Sequence, residues 1–236
     1  MTPTQNVALL IPLAYLAGSV PFGLIVGKMK GVDPRTAGSG NIGATNVGRL
    51  LGKRFFFVVF LLDLLKGLLP MLAAGAVLQA GGRQAHDART YFLWLLVGFA
   101  AIVGHMFSLF LGFKGGKGVA TSSGVILGLF PYFTVPGVVG LLVWGAVFKV
   151  SRYVSLASII AAVVFPVAYV AVGLARGWPI FGEQLPLLIF AVLVAAMIVY
   201  KHRSNIARLR AGTESRFESR PKPPPPGDQP APANAA

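Results

Sequence analysis

Long apolar runs alternate with short polar, glycine-rich and basic strips along most of the chain. The apolar runs fall near 5–27, 55–79, 91–111, 119–131, 133–149, 154–174 and 185–200. A bilayer core asks for roughly 20 apolar residues per helix. The pattern therefore predicts an all-α fold, a polytopic transmembrane helix bundle of seven spans, with six as the alternative because 119–131 is short. Pro131 and Pro136 separate that stretch from the next and predict a broken or tilted helix there. The opening "MTPTQN" carries no basic leader and the run behind it is long, which predicts a retained helix rather than a signal peptide.

Composition agrees with the pattern. Of 236 residues 55% are hydrophobic and 12% charged, and the mean hydropathy of +0.72 lies beyond the usual range of a soluble domain. No cysteine is present, which excludes disulfides, thiolate nucleophiles and zinc-thiolate sites. The carboxylates Asp33, Asp63, Asp87, Glu183, Glu214, Glu218 and Asp228 are scattered, without the spacing of a metal cage or a paired-carboxylate hydrolase. No metal and no cofactor are expected.

The net charge of +14 is uneven along the chain. Basic residues gather at 28–54, 114–117, 149–152 and 201–222, while Arg83, Arg89 and Arg176 stand in the alternate loops. Basic short loops stay in the cytoplasm, so the N-terminus is expected outside and the C-terminus in the cytoplasm. Orientation explains most of the charge, and anionic ligands the rest; no nucleic-acid partner is called for. After about Arg216 the sequence turns to "RPKPPPPGDQPAPANAA", too poor in apolar residues to form a core. The expected division is a membrane domain at 1–215 and a Pro-rich disordered cytoplasmic tail at 216–236. No internal repeat of the kind many transporters carry is evident.

This topology puts three polar segments on one side of the membrane. The first is "AGSGNIGATNVGRLLGKR" at 37–54. Its glycines let backbone approach a ligand, and Ser39, Asn41, Thr45 and Asn46 offer hydroxyl and amide groups. Arg49 adds a planar fork suited to phosphate. The second, "GHMFSLFLGFKGGKGVATSSG" at 104–124, leads into the next apolar run, so its amides and the following helix N-terminus suit an anion. Lys114 and Lys117 supply charge, and Gly115, Gly116 and Gly118 remove side-chain obstruction. The run is not a Walker loop, since three residues rather than four separate Gly112 from Gly116 and Lys117 precedes Gly118. The third, "HRSNIARLRAGTE" at 202–214, sets His202 and Asn205 three apart, on one face of a continuing helix. A boundary histidine can take a proton near neutral pH. His105 and Ser108 fall near the end of the third span, where they are expected to line the site. Asp63 and Lys66 are spaced for an ion pair within a helix, read as structural.

Together these segments resemble the signature motifs of the bacterial acyl-phosphate:glycerol-3-phosphate acyltransferase family, the PlsY type, over about residues 7–214. The resemblance implies a seven-helix inner-membrane enzyme of phospholipid synthesis with its active site facing the cytoplasm. Such an enzyme moves an acyl chain from acyl phosphate to the 1-hydroxyl of glycerol 3-phosphate, giving lysophosphatidic acid and inorganic phosphate. By position it implies that Ser39, Asn41 and Arg49 bind phosphate-bearing substrate, that the 115–118 loop with Lys117 holds acyl phosphate, and that His202 and Asn205 serve the reacting hydroxyl. Ser39, Arg49, Lys117, His202 and Asn205 form the expected catalytic set, while Thr45, Asn46, Lys114, His105 and Ser108 extend the binding surface. Acyl phosphate is an activated anhydride, so no covalent acyl-enzyme is required. The competing class is a membrane carrier of anions or organic phosphates, which would put its determinants near the midplane. A phosphatidyl transferase using a CDP-activated lipid would need a carboxylate cluster that the sequence lacks.

Overall fold

The computed structural model describes residues 3–80 and 87–217. All regular structure among them is helical. The first apolar run forms α1 (Pro3–Ser19) and α2 (Phe22–Met29), broken at Val20 and Pro21. A loop leads to α3 (Ala44–Leu51), and Gly52 turns the chain into α4 (Lys53–Ala80). Next come α5 (Ala88–Met106), α6 (Val119–Gly128), α7 (Thr134–Ser151) and α8 (Val154–Ala175). Then come α9 (Leu185–Lys201) and α10 (Arg203–Arg210).

Among the described residues five segments are long and apolar enough to cross a bilayer: Gln5–Met29, Lys53–Gln79, Ala88–Leu111, Thr134–Ser151 and Val154–Ala175. A sixth is reached if α9 and α10, bent by 56° at His202, count as one span. The run at 119–131 yields only the ten residues of α6, about 15 Å at 1.5 Å per residue, roughly half the hydrocarbon thickness. Leu13, Leu61, Leu141, Val167 and Ile189 point outward, as a chain solvated by lipid tails allows.

Helix contacts in lipid depend on close backbone approach rather than on expulsion of water. A Cβ on Gly18 of α1 would strike Ala101 O of α5, and one on Gly104 of α5 would strike Tyr15 O of α1. Gly67 and Gly124 do the same for α4 and α6, meeting Thr121 O and Leu64 O. These two crossings hold α6 against α4 and α5 against α1. The core between the helices is aromatic, with Phe133 stacked on Phe190 and edge-on to Tyr169 and Phe165. At the other end of the sequence Phe217 lies against Phe56 and Phe148, and its amide donates to Arg152 O at 2.9 Å. Ordered packing thus reaches at least Phe217, and the rest of the proposed tail, 218–236, lies outside the described residues.

Candidate active site

One pocket of about 120 Å³ lies where the three polar segments meet. Ser39, Asn41, Thr45, Asn46 and Arg49 line it from the first segment and α3. His105, Lys117 and Gly118 line it from the second, and His202, Asn205 and Glu214 from the third. Phe56, Phe60 and Trp144 form apolar walls.

The first segment is held by Asn46, which is buried. Its Oδ1 accepts from Ser39 N at 2.8 Å, and its Nδ2 faces Pro34 O, Asn41 O and Ala37 O at 2.9, 2.9 and 3.1 Å. Asn46 therefore staples the loop, a role distinct from the expected one of binding substrate. Gly38, at φ +61°, passes so close to Asn46 Oδ1 that no Cβ fits. Asn41, which lines the pocket, accepts at Oδ1 from Gly43 N at 2.8 Å. Arg49 Nη2 donates to Ser215 O at 2.8 Å, while its buried Nε has no protein acceptor among the described residues. Burial pulls the Arg49 guanidinium below its ordinary range, and the Glu214 carboxylate works against that.

In the second segment the amides of Gly115 and Gly116 do not face the pocket. They donate to Met106 O and His105 O at 3.2 and 3.0 Å, capping the C-terminus of α5. Lys114 is exposed, and Ser108 Oγ donates to Ser19 O at 2.6 Å, away from the pocket. The feature of this segment suited to an anion is instead the N-terminus of α6: Gly118, at φ +83°, starts that helix, and Val119 and Ala120 line the pocket. Free amides and the helix dipole there favour negative charge. Beside them, burial chiefly lowers the Lys117 ammonium to about 8, against the pull of Glu214.

The third segment is organised around Glu214, named in the sequence only as one scattered carboxylate. Its Oε1 accepts from Ser155 Oγ and Asn205 Nδ2, both at 2.7 Å, and its Oε2 from Arg208 Nε at 2.7 Å. Burial works to raise the carboxyl, but these bonds from Ser155, Asn205 and Arg208 hold it below the ordinary range. Because Asn205 donates to Glu214, its Oδ1 is fixed as the acceptor for Lys117 Nζ at 2.5 Å. No local spacing pattern pairs Glu214 with Ser155, 59 residues earlier. His202 is buried at the bend between α9 and α10. Its Nδ1 lies 2.8 Å from Ile198 O; a carbonyl only accepts, so Nδ1 carries the proton and Nε2 the lone pair.

The arrangement offers cations, helix amides and a basic imidazole nitrogen in one place. A family model described as "Glycerol-3-phosphate acyltransferase" matches residues 8–212. The chain belongs to this family. Similar curated proteins named glycerol-3-phosphate acyltransferase include one from Aquifex aeolicus (strain VF5), 44% identical over 88% of this chain and 97% of that protein. Another, from Geobacter sulfurreducens, is 45% identical over 91% and 99%. A third, from Roseiflexus sp. (strain RS-1), is 46% identical over 92% and 98%. Among solved structures, the glycerol 3-phosphate form of PlsY (YgiH), an integral membrane glycerol 3-phosphate acyltransferase, is similar at a TM-score of 0.76 and 41% identity. The match covers 91% of this chain and 96% of that one. Its lysophosphatidic acid form is similar at 0.74 and 40%, with the same coverage. The family makes this chain an integral membrane acyltransferase of phospholipid synthesis, which sets aside the carrier alternative.

Proposed function

We propose that the pocket transfers an acyl group from acyl phosphate to the 1-hydroxyl of glycerol 3-phosphate. The observation that carries the proposal is the convergence of Arg49, Lys117, the α6 N-terminus and His202 in one pocket. Two phosphorylated reactants repel each other, and charge-assisted hydrogen bonds of roughly 1.5–3 kcal/mol each offset that repulsion. Arg49 with Ser39 and Asn41 holds the phosphate of glycerol 3-phosphate; Lys117 and the α6 amides hold the acyl phosphate.

The hydroxyl oxygen attacks the acyl carbonyl carbon, the bond from that carbon to the bridging phosphate oxygen breaks, and inorganic phosphate leaves. His202 Nε2 takes the hydroxyl proton. Asn205, fixed by Glu214, steadies Lys117 beside the leaving group. A covalent route would need an activated nucleophile. The chain has no cysteine, and Ser39 Oγ makes no hydrogen bond to His105 or His202 among the described residues, which supports direct transfer. The reading includes seven spans with α6 as a partial one, the N-terminus outside, and the pocket facing the cytoplasm of a bacterial inner membrane, so that the acyl chain stays in lipid.

The test uses purified protein in detergent with acyl phosphate and glycerol 3-phosphate, without metal or nucleotide. Equal release of inorganic phosphate and lysophosphatidic acid is expected, and omission of glycerol 3-phosphate should leave at most slow hydrolysis. Transfer from acyl-CoA alone, or an acyl-protein adduct after rapid quenching, would overturn the proposal.

A further inference from the structure

The ion pair foreseen between Asp63 and Lys66 is present, with Lys66 Nζ 2.8 Å from Asp63 Oδ1 and both side chains almost wholly buried. It includes a third member that its helix spacing does not announce. Lys66 Nζ also lies 3.0 Å from His105 Nδ1 and donates to Val20 O at 2.8 Å. An ammonium has N–H donors and no acceptor; Asp63 pairs with it as a charge, while Val20 O and His105 Nδ1 are its hydrogen-bond partners. His105 Nδ1 must then present its lone pair to Lys66, and the imidazole proton resides on Nε2. Asp63 Oδ1 is 3.7 Å from Nδ1, too far to compete as a hydrogen-bond partner.

The orientation of Nε2 gives this tautomer a use. His105 lines the pocket, and its Nε2 lies against Gly116, where a Cβ would collide with it. The loop amides at 115 and 116 are spent on α5 carbonyls, so side-chain donors and the α6 N-terminus remain on this wall. His202 has the opposite arrangement, with Nδ1 protonated and Nε2 basic.

We infer that Lys66 and Asp63 are positioning residues that lock His105 as the Nε2–H tautomer, making it a neutral hydrogen-bond donor to a phosphoryl oxygen held at the α6 N-terminus. The two pocket histidines thereby divide the work: one donates to the bound anion, and the other accepts a proton. A neutral donor is well suited here, because it binds the anion without adding a further charge beside Lys117. The inference rests on the acyl-transfer reading only for the identity of the anion.

The experiment labels the histidine ring nitrogens with ¹⁵N in the full-length protein in detergent micelles. His105 is assigned by loss of its signals in H105Q, or by elimination with H86Q and H202Q. A pyridine-like Nδ1 and a pyrrole-like Nε2 are expected for His105, with the Nε2 signal moving on addition of inorganic phosphate. A protonated Nδ1, or no response to phosphate, overturns the inference, and neither result depends on catalysis. In the kinetic arm H105A and H105N should each lose about 10- to 100-fold in kcat/KM for acyl phosphate, the value of one hydrogen bond to a charged group. H105Q, whose amide nitrogen reaches toward the Nε2 position, should recover at least tenfold over H105N; equal rates for the two overturn the inference. The paired D63N and K66M substitutions, which leave no lone buried charge, should mix the His105 tautomers and raise KM for acyl phosphate. An unchanged tautomer overturns the assigned role of Lys66. Wild-type protein that shows the tautomer and binds phosphate but transfers no acyl group would refute the proposed reaction and leave this inference standing.

Discussion

Replacing Glu214 tests whether one carboxylate joins the C-terminal segment to the reacting groups. Three hydrogen bonds of 2.7 Å end on its two oxygens, from Ser155, Asn205 and Arg208. Glu214→Gln keeps one carbonyl oxygen for Ser155 and Asn205 but turns an N–H₂ group toward Arg208 Nε. One charge-assisted bond is lost, a destabilisation of about 1.5–3 kcal/mol. Glu214→Ala also strands the buried Asn205 amide, at about 1–3 kcal/mol more. The Asn205 side chain is then free to rotate off Lys117, and turnover should fall about 100-fold, as for a reacting group misplaced by an ångström.

The pH dependence has a definite sign. Glu214 titrates lower in the folded protein than in the unfolded chain, so its stabilisation is fully present above the ordinary glutamate value. It is lost as pH falls through the folded value. Thermal unfolding in detergent should therefore separate wild type from Glu214→Gln at pH 7 and bring them together in acid. A double-mutant cycle with Arg208→Gln should return a coupling near the lost bond. Equal midpoints at pH 7, or zero coupling, would refute the argument that Glu214 anchors this segment.

Lys117 falls to about 8 in the free protein, and its ammonium is lost as pH rises through that value. The log of kcat/KM for acyl phosphate should drop above pH 8, and Lys117→Arg should move that limb upward; a flat profile to pH 10 would remove the charge from the binding step. His202→Ala should lower kcat by about 10²- to 10⁴-fold, the usual worth of a general base, with little change in KM for either substrate, as read from initial rates of phosphate release. Gly124→Val should push α6 off Leu64 O, displacing the helix N-terminus from the pocket. It should raise KM for acyl phosphate several-fold in the same assay while leaving the α1 and α5 crossing intact.

Helices and motifs were legible because each is written locally. Apolar runs of bilayer length are visible in any window, and glycine, lysine and histidine in tight clusters announce anion chemistry. What stayed hidden are the roles set by distant partners. Asn46 looks like a ligand-binding amide until its bonds to Pro34, Ala37 and Asn41 are seen. Gly115 and Gly116 offer donors in the sequence, yet the end of α5 has carbonyls that need them more. Ser108 is likewise taken by Ser19. The resemblance of the three segments to one acyltransferase family carried the substrates, which composition and spacing alone would not have named.

The hidden partners also explain how a polar pocket keeps its shape beside lipid. Water cannot satisfy a polar group that turns away from its ligand there, so each group must have a fallback within the protein. Asn205 is held by Glu214, Glu214 by Arg208 and Ser155, and His105 by Lys66, which Asp63 neutralises. Each anchoring group is buried or half-buried, and Ser155 and Lys66 lie 59 and 39 residues from the side chains they hold. Among the polar groups of the described residues that keep unspent hydrogen-bonding capacity, Arg49 Nε and the first amides of α6 belong to the wall where an anion would sit. In the proposed reaction, a site built this way would need little reorganisation as charge moves from the hydroxyl to the departing phosphate, which is the condition under which fixed dipoles and charges accelerate acyl transfer.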